Sequence, residues 1–222
     1  MTEFDWQYLP PLLKGAWLTV LLCLASGFVG SVIGMALGLA RTSGNLVARG
    51  VSGLYVNLIR GLPVLIILLF MYYVLPLVAP SFTFSRAFTA IVGLSVYAGA
   101  YIAEIVRGSI EAVPKGQSEA AEALGMNYLV KFRYVIVPQA MRIIVPPAAG
   151  FLISLVKASS LVSVIGYVEL TKSARIASTQ NQNPLVTFAV AAVLYFVICY
   201  PVSLLGRRYE RRSGLQFEGA SI

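Results

Sequence analysis

Residues Val113 to Pro147 read VPKGQSEAAEALGMNYLVKFRYVIVPQAMRIIVPP, a polar, helix-prone island between long apolar segments, and the reading of the whole chain turns on it. Ser118 is placed to cap a helix over Glu119, Ala120, Ala121, Glu122, Ala123 and Leu124, all good or acceptable helix formers. Gly125 suits the left-handed residue that closes such a helix. A second helical piece is predicted from Lys131, Phe132 and Arg133. Pro138 marks where the chain turns back toward an apolar environment. A short helix of acidic and small side chains, tethered between membrane spans, suits docking into a groove on another protein.

The rest of the chain is built for lipid. Of its 222 residues 58% are hydrophobic and 12% charged, about half the charged share of a soluble domain, and the mean hydropathy is +0.81. Because an apolar helix of about 20 residues crosses the hydrocarbon core, the expected fold is an all-α integral membrane protein. Histidine is absent, and Cys23 and Cys199 lie inside apolar runs. Neither a metal site nor a disulfide framework is expected, and both cysteines should face lipid or pack. The first residues, MTEFDWQY, lack the basic region of a cleavable signal. A net charge of +8 could suggest nucleic acid, but the basic residues flank the spans, so the bilayer is the expected partner and nucleic acid is not.

Five spans are predicted. Ala16 to Ala40 is uncharged and reaches roughly 37 Å as a helix. Within it Ser26, Gly30, Gly34 and Gly38 share one face, which allows a close helix approach, either inside this chain or against a partner permease. Val51 to Ile59 is expected along the interface before span two, Leu62 to Pro80. Span three, Ala87 to Ala103, ends in Glu104 and Arg107, which can pair on one helix face in either a structural or a transport role. Span four runs from Pro138 to Val156, interrupted by Arg142 and by Pro146 and Pro147. The uncharged piece Ala158 to Val168 is too short to span, so a kinked or re-entrant path is expected. Glu169 to Asn183 is polar, and Pro184 to Gly206 forms span five.

The basic residues set the orientation. Arg41, Arg49, Arg60, Arg107, Lys115, Lys131, Arg133, Arg142, Arg207, Arg208, Arg211 and Arg212 fall on one side, against Lys14, Arg86, Lys157, Lys172 and Arg175 on the other. The richer side is cytoplasmic. That gives an extracytoplasmic segment at 1–15, a five-span domain at 16–206 with a cytoplasmic loop at about 113–138, and a basic cytoplasmic tail at 207–222.

The motifs of the island resemble a known family. Glu119-Ala120-Ala121, three residues, Gly125, nine residues and then Val135-Ile136-Val137-Pro138 is similar to the EAA loop of the permease subunits of ABC importers. Val135 and Val137 stand where Ile and Leu are usual. Arg60-Gly61-Leu62-Pro63 resembles the family's RGxP signature, and the run from Leu94-Ser95 through Ala100-Tyr101-Ile102-Ala103-Glu104-Ile105-Val106-Arg107-Gly108 resembles its LS…AYxAExxRG. Lys157-Ala158-Ser159-Ser160-Leu161 is similar to KDTSL, with Ala158 for Asp and Ser159 for Thr. The resemblance runs from about Gly15 to Gly206 and is nearest the polar amino acid branch, in the bacterial inner membrane.

The resemblance implies a type I importer permease fold in which the EAA segment is a coupling helix. It implies a second permease subunit, identical or different, a periplasmic substrate-binding protein, and a separate ATPase dimer. No G-x-x-x-x-G-K-[ST] stretch occurs in the chain, so no cofactor is expected on it, ATP and Mg falling to the ATPase, and the chain itself is not expected to be an enzyme. Glu119, Ala120, Ala121, Glu122 and Gly125 are the candidate ATPase contacts.

For the substrate path, Lys157 leads, either paired with a substrate carboxylate or snorkelling at the outer interface. Ser159 and Ser160 are candidate hydroxyl partners, and Tyr97 a candidate wall residue. Ala158 lacks the family's acid, and Ile67 replaces a frequent Gln. These departures fit a neutral or acidic substrate, a larger opine-like zwitterion, or a site held by the other subunit. The competing reading is a small ion-coupled secondary transporter acting as a dimer, which ordinarily buries coupling acids; in the sequence only Glu104 is a carboxylate embedded near a span. A membrane-embedded enzyme fits poorly, with no His and few acids.

Overall fold

The computed structural model describes residues 6–79, 81 and 83–212. Residues 1–5 of the N-terminal segment, Pro80 at the expected end of span two, and residues 213–222 of the tail lie outside the described residues. Among the described residues every regular element is helical. The chief ones are α1 (Leu9–Thr42), α2 (Leu46–Gly61), α3 (Val64–Val78), α4 (Arg86–Glu111), α5 (Lys115–Ala123), α6 (Tyr128–Ile165), α7 (Leu170–Gln180) and α8 (Pro184–Arg212). Four of them, α1, α4, α6 and α8, are long and apolar enough to cross a membrane, and α2 with α3, bent by 102° between them, makes the fifth candidate.

Small residues decide how the bundle closes. A Cβ at Gly34 would stand 2.6 Å from the Cβ of Ile102, and one at Gly38 2.6 Å from that of Val106, while Gly30 rests on Ala98. The stripe on α1 is therefore spent on α4 of the same chain, not on a partner. The pairs 30/98, 34/102 and 38/106 advance together, so α1 and α4 run parallel, and the ends bearing Arg41 and Arg107 share one side of the bundle. Leu22, Leu68, Leu94, Leu155 and Ile165 fill the core between these helices.

Prolines shape two of the helices. In α3 a π turn at Phe70–Val74 precedes Pro76, and in α6 a π turn at Phe132–Ile136 precedes Pro138. In each, the residue just before the proline donates its N–H to the carbonyl five residues back: Leu75 to Phe70 and Val137 to Phe132. The wider turn makes room for a ring that would otherwise press on the carbonyl four residues earlier, and absorbs the missing donor. Pro138 consequently does not turn the chain, as its sequence position suggested. α6 continues through it, and through Pro146 and Pro147, as 38 residues of helix. Its last stretch, Ser160–Ile165, tightens to a 3-10 helix that Gly166 ends with φ +83°, which is the form taken by the kink expected after Ala158.

At the end of the bundle opposite α5, α7 lies across the start of α1. Leu170 N–H donates to Thr19 Oγ1 at 3.1 Å. Glu169 caps α7 and is wholly buried. Its two oxygens accept from Thr171 N–H, Lys172 N–H and Tyr195 O–H, each at 2.8 Å. Glu104 is thus not the only carboxylate placed within the bundle, contrary to the sequence expectation. Glu169 escaped notice because a polar segment around it reads as exposed loop.

Candidate coupling surface and substrate path

The short helix begins one turn before Ser118. Pro114, with φ −56° and ψ 133°, stands at its N-cap, so Ser118 lies inside α5 and is not its cap; proline fixes the entry angle and needs no donor there. The far end follows the sequence closely. Gly125 has φ +76°, its N–H reaches Glu122 O at 2.9 Å, and the next N–H, from Met126, reaches back to Ala121 O at 3.1 Å. Those two bonds satisfy carbonyls that the helix leaves open. A Cβ at Gly125 would meet nothing within 4 Å, so the glycine is required by backbone angle and not by space.

The next helix starts at Tyr128, not Lys131, because Asn127 caps it, Oδ1 accepting from Val130 N–H at 3.0 Å. Two side-chain contacts fasten α5 to α6: Lys131 with Glu122, and Gln139 Nε2 donating to Gln117 Oε1 at 3.2 Å. The Lys131 hydrogen bond holds the Glu122 carboxyl below the usual carboxylate range.

Glu119, Ala120, Glu122 and Gly125 are exposed, whereas Ala121 is buried against its own chain. Of the two alanines only Ala120 is open to a partner. The sequence reading missed the apolar rim beside them: Leu124 and Leu129 are 78% and 75% exposed, and Tyr128 and Tyr134 join them. Large side chains exposed this way beside a polar loop are a docking signal.

Behind α5, charges knit three helix ends together. Glu104 receives hydrogen bonds from Arg41 and Arg107, and Arg60 lies 3.5 Å away, with its guanidinium 5.4 Å above the Tyr101 ring. The residues of the RGxP-like and AYxAExxRG-like stretches therefore meet in one place.

The substrate-path candidates do not. Tyr97 packs on Tyr101 and Phe151, with centroids 4.7 and 5.8 Å away. Ile67 is a buried packing residue, and Ser159 is fully buried with its hydroxyl donating to Val156 O at 2.7 Å. Ala158 leans on the main core. Ser160 is half-buried and donates to Lys157 O at 2.7 Å. Lys157 alone opens outward, on the α8 side, at a cleft of about 430 Å³ shared with Tyr195, Cys199, Tyr200 and Arg207.

The depth of Lys157 follows from the pairing of α6 with α8. Gly206 lies against Ala149, and Pro146 shares a small cleft with Arg207 and Glu210, which sets the polar boundary. Lys157 is eight residues beyond Ala149, about 12 Å along the helix axis. It therefore stands more than two turns into the apolar part of α6, and the cleft that it lines also reaches Arg207.

The family model described as "Binding-protein-dependent transport system inner membrane component" matches residues 30–214. The chain belongs to that family. It is accordingly a multi-pass inner-membrane component of a binding-protein-dependent transport system, and this membership favours the importer reading over the ion-coupled carrier. The permease is 36% identical over 214 residues to the glutamine transport system permease protein GlnP of Escherichia coli (strain K12), covering 95% of this chain and 98% of that one. To the probable amino-acid ABC transporter permease protein YckA of Bacillus subtilis (strain 168) it is 36% identical over 222 residues, covering 96% and 97%. Among solved structures it matches the crystal structure of an amino acid ABC transporter with histidines at a TM-score of 0.88 and 32% identity, over 95% of this permease and 99% of that chain. It matches the MetNI methionine ABC transporter, in an inward-facing conformation, at 0.80 and 28%, with coverages of 95% and 99%.

Proposed function

We propose that this chain is the permease subunit of an ATP-driven bacterial importer for amino acids or related zwitterions. A periplasmic binding protein delivers the substrate, and an ATPase dimer carrying ATP and Mg drives the cycle. A second permease subunit, identical or different, completes the membrane part. The N-terminus lies outside and the C-terminus in the cytoplasm, so α5 faces the ATPase. The names of the relatives support the substrate class, and the distribution of Lys and Arg supports the orientation.

The observation that carries the mechanism is the way α5 is mounted. Its outer face offers Glu119, Ala120 and Gly125 beside exposed Leu124 and Leu129, while its inner side is fastened to α6 through Lys131 and Gln139. From Lys131 to Lys157, α6 extends about 39 Å as one helix. A push on α5 is thus delivered as a rigid-body movement to the helix that carries Lys157. Lys157 pairs with the substrate carboxylate, with Ser160 beside it. Tyr97, Ile67, Ala158 and Ser159 shape the path from behind.

Gly125→Asp tests the coupling. In a reconstituted complex the loaded binding protein should no longer accelerate ATP hydrolysis, and uptake should be lost. Unchanged stimulation with unchanged uptake rejects the assignment. A cysteine at position 119 should react with an impermeant reagent only from the cytoplasmic side; labelling from outside rejects the orientation.

A further inference from the structure

α6 and α8 flank the cleft that holds Lys157, and both also reach the first turn of α7. α6 arrives along the chain. Only Gly166, Tyr167 and Val168 separate its last residue, Ile165, from Glu169, the cap of α7. Gly166 N–H donates to Ser163 O at 3.1 Å and Tyr167 N–H to Val162 O at 3.3 Å, so these two residues belong to the end of α6. Val168 alone is left to absorb a movement between α6 and the cap.

α8 holds the cap through a single side chain. Tyr195 O–H donates to Glu169 Oε2 at 2.8 Å and, among the described residues, is the only donor to that carboxylate from another helix, the other two being the amides of Thr171 and Lys172. A phenol has one hydrogen, so Thr171 O–H donates in turn to the phenol oxygen, at 2.8 Å. The same tyrosine lines the Lys157 cleft. α7 is meanwhile seated tightly on α1: Leu170 N–H reaches Thr19 Oγ1, and a Cβ at Gly15 would stand 2.5 Å from Ser173 Oγ. A displacement of α6 against α8 therefore falls on the Glu169–Tyr195 bond. Breaking it leaves a wholly buried carboxylate one donor short, which is costly, so the bond favours the arrangement in which it is intact.

We propose that Tyr195 is a positioning residue of the transport cycle: its hydrogen bond to Glu169 is a latch that holds α7 closed across the end of the bundle opposite α5 until α6 moves. The proposal rests on the reading that α5 drives α6. Release of the latch frees α7 and, in the same step, the tyrosine wall of the Lys157 cleft, so the outer end and the cleft change together.

The test is hydrogen exchange at the Thr171 and Lys172 amides, the two backbone donors of the cap, in the assembled transporter in nanodiscs. Both should be protected in the nucleotide-free wild type, and trapping with ATP and vanadate should speed their exchange about tenfold or more, the effect of losing one hydrogen bond to a charged group. Tyr195→Phe keeps the ring and removes the latch. Its two amides should exchange about tenfold faster already without nucleotide, and its ATP hydrolysis without binding protein should rise severalfold, on the order of that lost bond. Damage to the fold alone would lower hydrolysis. Thr187→Val is the control: it removes another buried hydroxyl between α7 and α8, the one that accepts from Asn181 Nδ2 at 2.9 Å, and should leave both readings near wild type. Wild-type protection in Tyr195→Phe overturns the latch, and so does unchanged basal hydrolysis in a Tyr195→Phe complex whose amides are exposed, or an equal response in Thr187→Val. Gly125→Asp separates this from the coupling itself: it should abolish the response to ATP and keep the nucleotide-free protection, whereas a normal response in Gly125→Asp refutes the drive through α5 and not the latch.

Discussion

Arg41, at the end of α1, hydrogen-bonds to Glu104 on α4, although 63 residues separate them in the chain. The same carboxylate receives Arg107 from its own helix and has Arg60 of the bent pair 3.5 Å away. One acid therefore serves as counter-charge for three arginines on three helices, at the side of the bundle from which α5 projects. Helical spacing alone offered only the Glu104–Arg107 pair. The other two partners arise because α1 runs parallel to α4 and brings its last turn to the same level.

Neutralising that acid should destabilise the bundle. Glu104→Gln leaves Arg41 and Arg60 without a counter-charge and Arg107 with Glu111 alone, in a partly buried place, at a cost of about 1–3 kcal/mol. Arg107→Gln should cost less, since Arg41 stays on the carboxylate. Thermal unfolding of the purified protein reads both. A structural role keeps uptake per folded molecule near normal in Glu104→Gln. Lost uptake with an unshifted Tm would assign the acid to transport instead.

The α1–α4 seam makes a sharper prediction, because its geometry leaves no slack. Gly34→Ala places a methyl 2.6 Å from the Ile102 Cβ, and such overpacking costs about 1–3 kcal/mol. Gly27 is the control: a Cβ there would meet Leu155 at an ordinary 3.5 Å, so Gly27→Ala should leave Tm nearly unchanged. Equal behaviour of the two variants would mean that the helices are not packed this closely.

What the sequence disclosed and what it hid divide along physical lines. The long apolar helices, the left-handed Gly125 and the exposed acidic helix were legible, since apolar length, backbone angle and helix propensity are local properties. The stripe at Gly30, Gly34 and Gly38 announced a close approach but not its partner, because small residues fit any neighbour. Pro138 misled: as a local signal it breaks a helix, yet a π turn one step earlier carries the helix past it. Glu169 was hidden for the opposite reason, its burial being produced wholly by tertiary neighbours, Tyr195 and Thr19 among the elements that close over it.

Glu169 has a pH signature. Burial pushes its carboxyl above the ordinary value, against the hydrogen bonds from Thr171, Tyr195 and Lys172 that pull it down. The folded protein thus binds this proton more readily than the unfolded chain. Its contribution to stability is largest below the ordinary carboxylate range, falls as pH rises toward the raised folded value, and is level above it. Glu169→Gln removes the titration and sets an amide N–H against one of the three donors, costing about 1–3 kcal/mol. The margin in Tm of the wild type over Glu169→Gln should shrink as pH rises from 4 toward 7 on the order of that titration. A margin that widens with pH would mean that the hydrogen bonds from Thr171, Tyr195 and Lys172 outweigh burial and hold the carboxyl low.

Lys157 offers the last and most direct test of the substrate path. It lies in the apolar part of α6 on the outer surface of this chain's own bundle, and it makes no ion pair among the described residues. A bare ammonium facing lipid at that depth costs about 2.5–3.5 kcal/mol even on the mildest scale, so a polar cavity or a partner subunit must cover it. If it pairs with the substrate carboxylate, Lys157→Met should relieve that cost and raise Tm slightly while reducing uptake at least tenfold, the loss expected for a charge-assisted hydrogen bond worth about 1.5–3 kcal/mol. Lys157→Arg should keep part of the activity. Binding-protein-stimulated ATP hydrolysis should persist in Lys157→Met, since α5 and its fastening to α6 are untouched. Full uptake in Lys157→Met would remove the lysine from the path and leave its depth to be explained by the partner subunit alone.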